Sequence, residues 1–555
     1  MKFIYIVSLL FIPLFGVFYI RHRHLKKMKQ AEEDLHAKWS KAKEEQYFNF
    51  PLIKKYFKNK LRRGLDSFQV IPDKVSEDLY LDEVFEFVDR TVSKVGQQFL
   101  YYKLRVVSGD IEELRHFDRL VDSFSQNEEQ RKHCQLTLRT LEKGDSFYLE
   151  ELIHGEPIKP PKWYPLVYVL TFSVLVLIIL AFVFPVLLFF LLPLFVANIL
   201  IHYWNKENIN YYLIALGEFS KAYDAGVKLS NVGLIKSHFV DTGFLQRLIP
   251  LKKKMRWVSL NNKLEDETTT IFYSLFELLK MAFNLEILFF FSLIEDVEKK
   301  RTALDELFQF IGEIDAAIST ASYRAGLEVY CKPSFCEPKQ LKIDSLTHPL
   351  LANCIPNDLQ LSQKGLLLTG SNMSGKTTFI RSVGINMLLA QTIYTCTASN
   401  FIAPFSRIFT SVKISDDLLT EKSYYFEEVS TIKAFIDSSH NSEPAIFILD
   451  EIFKGTNTVE RISGGKAILS YLAKRNHLVF VSTHDIELTE LLQREFDLYH
   501  FSESIHNTQL VFDHKLKFGP LRTRNAIKIL QISGYPSEIL EEANSIVSKI
   551  ENVSG

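Results

Sequence analysis

Eight residues, GSNMSGKT, constrain this chain more than any other stretch. Gly370, Gly375, Lys376 and Thr377 have the spacing G-x-x-x-x-G-K-[ST], which requires a strand before it and a helix after it. Residues 366–368 (LLL) predict the strand, and residues 378–389 predict the helix. The small residues let backbone N–H groups turn inward around phosphate oxygens, and the helix N-terminus adds a favourable dipole. In this pattern Lys376 reaches the terminal phosphates and Thr377 offers a hydroxyl to Mg²⁺. Gly370, Ser371, Asn372, Met373, Ser374, Gly375, Lys376, Thr377 and Thr378 make up the expected phosphate cradle.

Two further strings follow in order. AIFILDE, residues 445–451, is an apolar strand that ends in two carboxylates. Asp450 suits the Mg²⁺ shell, and Glu451 suits a general base for an attacking water. LVFVSTHD is another apolar strand, ending near His484, a residue able to touch a γ-phosphate or orient the water. The short apolar runs 366–369, 445–449 and 478–482 alternate with helical stretches, which predicts an α/β domain with a parallel sheet.

The N-terminal half has a different texture. Residues 163–205, 43 in all, contain no Asp, Glu, Lys or Arg. That is about twice the length of one membrane-spanning helix. Pro185 falls near the middle, where a turn belongs, and Lys159, Lys162 and Lys206 flank the ends. This predicts a membrane hairpin with both ends in the cytoplasm. Residues 3–20 are also uncharged, long enough for roughly 27 Å of helix. Arg21, Arg23, Lys26, Lys27 and Lys29 follow, so they read as an anchor with its N-terminus outside. The remaining stretches, 21–160 and 207–330, are expected to be mostly helical. Lys252, Lys253, Lys254 and Arg256 form a short basic cluster, either a solvated loop or helix face or a contact for anionic lipid or phosphate.

Charge and cysteine usage narrow the classes. Lys+Arg total 65 and Asp+Glu 66, which excludes a wholly basic nucleic-acid-coating chain but not a local basic patch. Five cysteines in no CxxC pair argue against a disulfide framework or zinc site.

Taken together the motifs resemble the MutS family, the mismatch-repair group of the ABC-like ATPases. TGSNMSGKTTFIRSVG is similar to the family's P-loop, LDEIFKGTNT to its Walker B and D-loop, and STHDIELTEL to its His-loop. SYYFEEVSTIKAFI resembles its signature segment. The resemblance implies that Ser423 reaches a partner's ATP across a dimer, with Glu428 in the following acidic position. THPLLANCIPNDLQL, around His348 and Pro349, resembles the segment leading into the ATPase domain. FEFVDRTVSKVGQQFLYYKLRVV, with Asp89, Thr91, Gly96 and Leu104, and FIGEIDAAISTASYRA, with Asp315, resemble the two ends of the family's helical core. FDHKLKFG and GYPSEILEEA resemble its C-terminal segment.

The implied fold is multidomain: an α-helical MutS-like core with transmembrane helices, plus an α/β P-loop (ABC-like) ATPase domain. The expected division is an anchor at 1–20, a helical linker at 21–74 and the first part of the core at 75–160. A membrane hairpin at 163–205, the second part of the core at 206–335, the ATPase domain at 340–515 and a helical segment at 516–555 follow. The implied activity is ATP hydrolysis with ATP and Mg²⁺, using Glu451, His484 and Lys376 catalytically and Thr377 and Asp450 at the metal. Implied partners are a second copy of the chain, the inner (cytoplasmic) membrane as a multi-pass protein with its ATPase domain in the cytoplasm, and DNA. The family's mismatch reader carries a Phe-x-Glu wedge on an N-terminal domain for which the roughly 75 residues before the core leave no room. Phe426-Glu427-Glu428 has that spelling inside the signature segment, so it reads as a decoy. Two alternatives remain: an ABC-type transporter subunit, whose signature Ile462–Lys466 (ISGGK) would then lie on the wrong side of Walker B, and an ATP-binding scaffold without turnover.

Overall fold

A computed structural model of the chain describes residues 25–44, 48–155, 160–259, 281–371, 373–412, 424–453, 455–506, 509–521 and 534–554, together with residues 19, 21–23, 279, 527, 530 and 531. The fold is multidomain and helix-rich with sheets. Two units separate. The first draws on residues 1–66, 88–103 and 115–326, and the second on residues 67–87, 104–114 and 327–555.

In the first unit, α1 (Tyr164–Ala181) is followed by a tight turn at Pro185–Leu187 and then by α2 (Leu188–Ser230). Among the described residues α1 is the one helix long and apolar enough to cross a membrane, and residues 185–201 make a shorter apolar helical stretch. Their side chains are largely uncovered: Phe172 is 68% exposed, Phe182 88% and Phe189 82%. The expected membrane hairpin ends at residue 205 and the expected helical stretch resumes at 207; in the structure one helix, α2, runs across both to Ser230. No proline interrupts residues 205–230, and Ala215, Leu216, Phe219 and Ala222 give them a buried face. The expected span at 3–20 lies outside the described residues except for residue 19.

Polar side chains tie the hairpin to the chain before α3 (Leu285–Lys299). Thr171 Oγ1 donates to Phe283 O at 2.9 Å, Asn198 Nδ2 to Ala282 O at 2.7 Å, and Asn284 Nδ2 to Asn198 Oδ1 at 2.7 Å. The first two satisfy backbone carbonyls just before Asn284, which has φ 48°, and the third joins the two asparagine side chains. The core of the unit is α4 (Arg301–Ala325), whose Ile311, Ile314, Ala317, Ile318 and Ala321 are buried. Asp315 on this helix accepts from Val92 N (2.9 Å), Ser93 N (2.7 Å) and Ser93 Oγ (2.6 Å). Burial raises its pKa to about 6 against the pull of those donors.

The second unit is built on a six-stranded sheet. Its strands are β1 (Gly365–Thr369), β2 (Arg407–Ser411), β3 (Ala445–Asp450), β4 (Leu478–Thr483), β5 (Phe496–His500) and β6 (Lys517–Phe518), in the order β6-β5-β1-β4-β3-β2. β1 to β5 are parallel, and β6 runs antiparallel beside β5. β1, β3 and β4 are near-continuous apolar runs because both faces are covered. Helices α5 (Lys376–Thr392), α6 (Tyr424–Ser438) and α7 (Thr458–Ala473) accompany the sheet. Phe435, Phe447, Leu449, Leu469, Leu472, Val479 and Val481 are buried together in its core. A second sheet orders Ser334–Cys336, Asn400–Pro404, Gln340–Leu346 and Asn357–Ser362.

Residues 67–87 are stitched to β2. Gln69 exchanges two hydrogen bonds with the Ile408 backbone, both 2.8 Å. Asp78 Oδ2 accepts from Thr410 Oγ1 (2.7 Å) and Val412 N (3.1 Å).

Candidate functional site

After β1 the chain turns back on itself before α5 begins. Gly370 and Gly375 have φ 154° and 113°, values that side-chain-bearing residues rarely adopt, and Met373 has φ 69°. Ser374 Oγ closes the loop by donating to Ser371 O at 2.8 Å, and Ser371 Oγ donates to Glu503 Oε2 at 2.8 Å. Lys376, at the start of α5, is buried, and its Nζ donates to Gly370 O (2.7 Å) and Ser371 O (2.9 Å). Its ammonium also lies 3.5 Å from His484 Nε2. The cation is thus held at the loop, on the side where the helix N-terminus points its N–H groups.

The neighbouring strands deliver the other groups. The register sets Ser482 beside Asp450 and beside Leu368, so β1, β3 and β4 end almost level. Asp450 Oδ2 accepts from Thr377 Oγ1 at 2.7 Å, and Asp450 Oδ1 accepts a short hydrogen bond from Ser482 Oγ. The next residue, Glu451, sits at φ 64°, with its N–H on Ser482 O at 2.8 Å. A non-glycine residue held in the left-handed region is strained, and the β3–β4 bond keeps it there. Glu451 Oε1 lies 3.0 Å from His484 Nε2. Phe453 (φ 60°) has its N–H on the buried Glu428 carboxylate, which fixes the loop after β3.

These groups face one cavity of about 600 Å³ at the carboxyl ends of the parallel strands. It is lined by Ser371, Met373, Gly375, Lys376, Thr377, Thr378, Asp450, Glu451 and His484. Its position, between strands β1 and β4 where the chain connection changes direction, is where open α/β sheets hold ligands. Thr377 and Asp450 offer only oxygen donors, the hard set that Mg²⁺ takes with one or two carboxylates and several waters. The residues therefore fit that ion.

Of the expected residues, Gly370 and Ser374 shape the loop behind this wall, while Asn372 and Ser423 lie outside the described residues. Ile462–Lys466 falls inside α7, where Gly465 packs on Ile452, so it forms no loop at the cavity. Phe426 and Glu427 lie on α6, and Glu428 is spent on the Phe453 N–H.

Several contributors had no distinct signal in sequence. Ser482 and Glu503 look like ordinary strand and loop residues. His514 lines the cavity and lies 3.0 Å from Ser374 O through Nδ1, and its only signal was the FDHKLKFG string. Arg461 grips Asp485, the neighbour of His484, with a two-pronged contact (2.9 and 2.7 Å) that steadies the loop after β4.

The profile of the family described as MutS domain V matches residues 366–551, a span holding every one of these strand-end residues. The DNA mismatch repair protein MutS of Staphylococcus aureus strain JH9 is 30% identical over 286 residues, 49% of this chain and 32% of that protein. The MutS proteins of strains Newman and Mu3 give the same figures. Over residues 366–551 the chain is similar to MutS domain V, and over about half its length to MutS proteins. It spans about a third (32%) of the length of the curated MutS proteins it matches. The matched span begins in β1 and ends within the helix Ser537–Ser554.

Proposed function

We propose that the chain is a membrane-anchored MutS-like ATPase, which binds ATP with Mg²⁺, hydrolyses it to ADP and phosphate, and dimerises through its nucleotide-bound domains. The observation that carries this reading is the convergence of Lys376, the Thr377–Asp450 pair and the Glu451–His484 pair on one cavity. Lys376 supplies positive charge to the terminal phosphates. Thr377 and Asp450 would hold Mg²⁺, which would supply charge neutralisation at the phosphate oxygens. Glu451 accepts the proton of the attacking water, and His484 fixes the direction of that carboxylate. Ser423 acts across the dimer on the partner's nucleotide, as the family resemblance implies. Binding of DNA is proposed from the names of the relatives alone.

The bilayer reading rests on the uncovered apolar surface of α1 and of residues 185–201, a patch far beyond what soluble surfaces expose. The proposed location is the cytoplasmic membrane, with the nucleotide-binding unit in the cytoplasm.

The test is steady-state ATP hydrolysis by the purified full chain beside Lys376→Ala, together with protease shaving of sealed vesicles. Magnesium-dependent hydrolysis lost in Lys376→Ala supports the reading, and wild type without turnover rejects it. Digestion of the nucleotide-binding unit from the outside face rejects the topology.

A further inference from the structure

The first unit contains a second cavity of about 560 Å³, formed by chain segments 34–44, 90–94 and 135–142 with Ser322. Its construction begins where the helix through residue 38 ends. Ser40 turns the chain with φ 67°, and its N–H donates to Ser322 Oγ at 3.0 Å. The approach is so close that a Cβ on Gly326 would sit 2.1 Å from Ser40 O, so only glycine admits the strap there. Three residues past Ser40 comes the anchor: Lys43 Nζ reaches Asp89 Oδ2 at 2.7 Å and Thr91 Oγ1 at 3.2 Å. Asp89 is fully buried. Burial alone would raise its pKa, but Lys43 and Thr91 outweigh it and the carboxyl is held below its ordinary value. A buried ion pair therefore fixes the strap over the 89–94 turn.

The wall so formed is cationic. Lys38, Lys41, Lys43, Arg90, Lys94 and Arg139 line it, against Asp34, Glu44 and Glu142. Asp34 is shared between Lys38 (3.2 Å) and Arg139 (3.3 Å). Arg90 is rigidly set: its N–H donates to Ser319 Oγ at 2.8 Å, and its guanidinium lies 5.2 Å from the Tyr323 ring centre. Asp89 neutralises Lys43, and Asp34 and Glu142 offset Lys38 and Arg139, but the wall keeps a net positive excess, so an anion entering it meets several donors at once. Trp39 also lines the cavity, with the Arg131 guanidinium 3.6 Å from its ring centre, so a flat ligand would find an aromatic surface already held in place. A second hollow lined by Lys27, Lys38 and Arg139 continues the same positive surface.

We infer that this cavity is a second anion site, which takes a small phosphate ester and is separate from the ATP-binding cavity of the other unit. Its volume is that of a small-molecule pocket. The shared chemistry is one or two phosphate groups met by Lys41, Arg90 and Lys94, and the ester is either a free nucleotide or a glycerophosphate headgroup.

The test uses the full chain in detergent carrying Lys376→Ala, which removes the phosphate lysine of the other cavity. Equilibrium binding is measured with labelled ADP, with pyrophosphate and with glycerol 3-phosphate. We expect saturable binding of at least one probe, weakened about tenfold or more by Lys41→Glu, an exposed position, and by Lys94→Glu, a half-buried one whose melting temperature is compared with wild type. ADP bound more tightly than pyrophosphate, with the difference lost in Trp39→Leu, identifies the nucleotide source. A preference for glycerol 3-phosphate identifies the headgroup. Absence of saturable binding, binding indifferent to both charge reversals, or binding of long duplex DNA alone overturns the inference. These outcomes are independent of hydrolysis, so failure here leaves the ATPase reading standing, and the reverse also holds.

Discussion

Glu451 Oε1 stands 3.0 Å from His484 Nε2, and each residue is the first after its own strand. Parallel neighbours in register, Ser482 beside Asp450, bring these two loop positions side by side. The imidazole thereby orients a carboxylate whose backbone is already fixed at φ 64°. Glu451→Gln preserves the shape and removes the base. Its ATP affinity should stay within a few-fold of wild type, while hydrolysis falls by about 10²–10⁴. His484→Ala should fall less, and the double variant should lie close to Glu451→Gln, since the two act as one unit. Single-turnover rates and nucleotide binding on the four proteins would decide this, and strictly additive losses would separate the two residues.

Asp450 is bound by hydroxyls from two sides, Thr377 and Ser482. Asp450→Asn keeps the volume but replaces one acceptor oxygen with a donor and removes the charge. Magnesium titration of ATP hydrolysis should show the half-saturating Mg²⁺ concentration rising by tenfold or more, with metal-free nucleotide binding much less affected. An unchanged titration would exclude Asp450 from the metal.

Gly384 on α5 lies against β3 and residues 67–87: a Cβ there would be 2.8 Å from Leu79 Cδ2 and 2.9 Å from Ile448 Cδ1. Gly384→Val overpacks that contact and should destabilise the second unit by about 1–3 kcal/mol. Denaturant melts followed by a probe in that unit provide the measurement. A midpoint equal to wild type would mean that Leu79 yields at no cost.

His348 is buried, and burial, followed by the nearby Arg381 charge, lowers its pKa from 6.5 to about 4. Its Nδ1 accepts from Leu350 N at 3.3 Å, which only the neutral ring can do. The unfolded chain takes up the proton below 6.5 and the folded chain resists until about 4. The stabilising contribution is therefore whole above pH 6.5 and declines as the pH falls through 4. The stability gap between wild type and His348→Gln should narrow between pH 7 and pH 4. A gap constant across that range would show that His348 does not titrate as the fold requires.

The strand ends were readable because each carries a run of apolar residues followed at once by its polar group. The runs at 366–369, 445–449 and 478–482 correspond to β1, β3 and β4, with ends differing by a residue. Periodicity reports what one segment buries, not what it is buried against. Gln69 and Asp78, some 330 residues before their partners on β2, therefore gave no hint that residues 67–87 complete the second unit. Ser482 and Glu503 were silent for the same reason, since each matters through contacts set by the sheet. The continuation of α2 past residue 205 was hidden by a change of composition, from uncharged to amphipathic, that does not interrupt the helix.

That continuity has a mechanical consequence. α2 holds 43 residues, and a helix of that length is about 65 Å from end to end. A rod of this span acts as a pointer: a tilt of about 5° at its apolar end sweeps its charged end through about 6 Å, more than one helical turn. Pro193, the sixth residue of the helix, is the one position in it where a proline removes a backbone hydrogen bond; reorientations at that end are magnified at Ser230 by the length of helix beyond it.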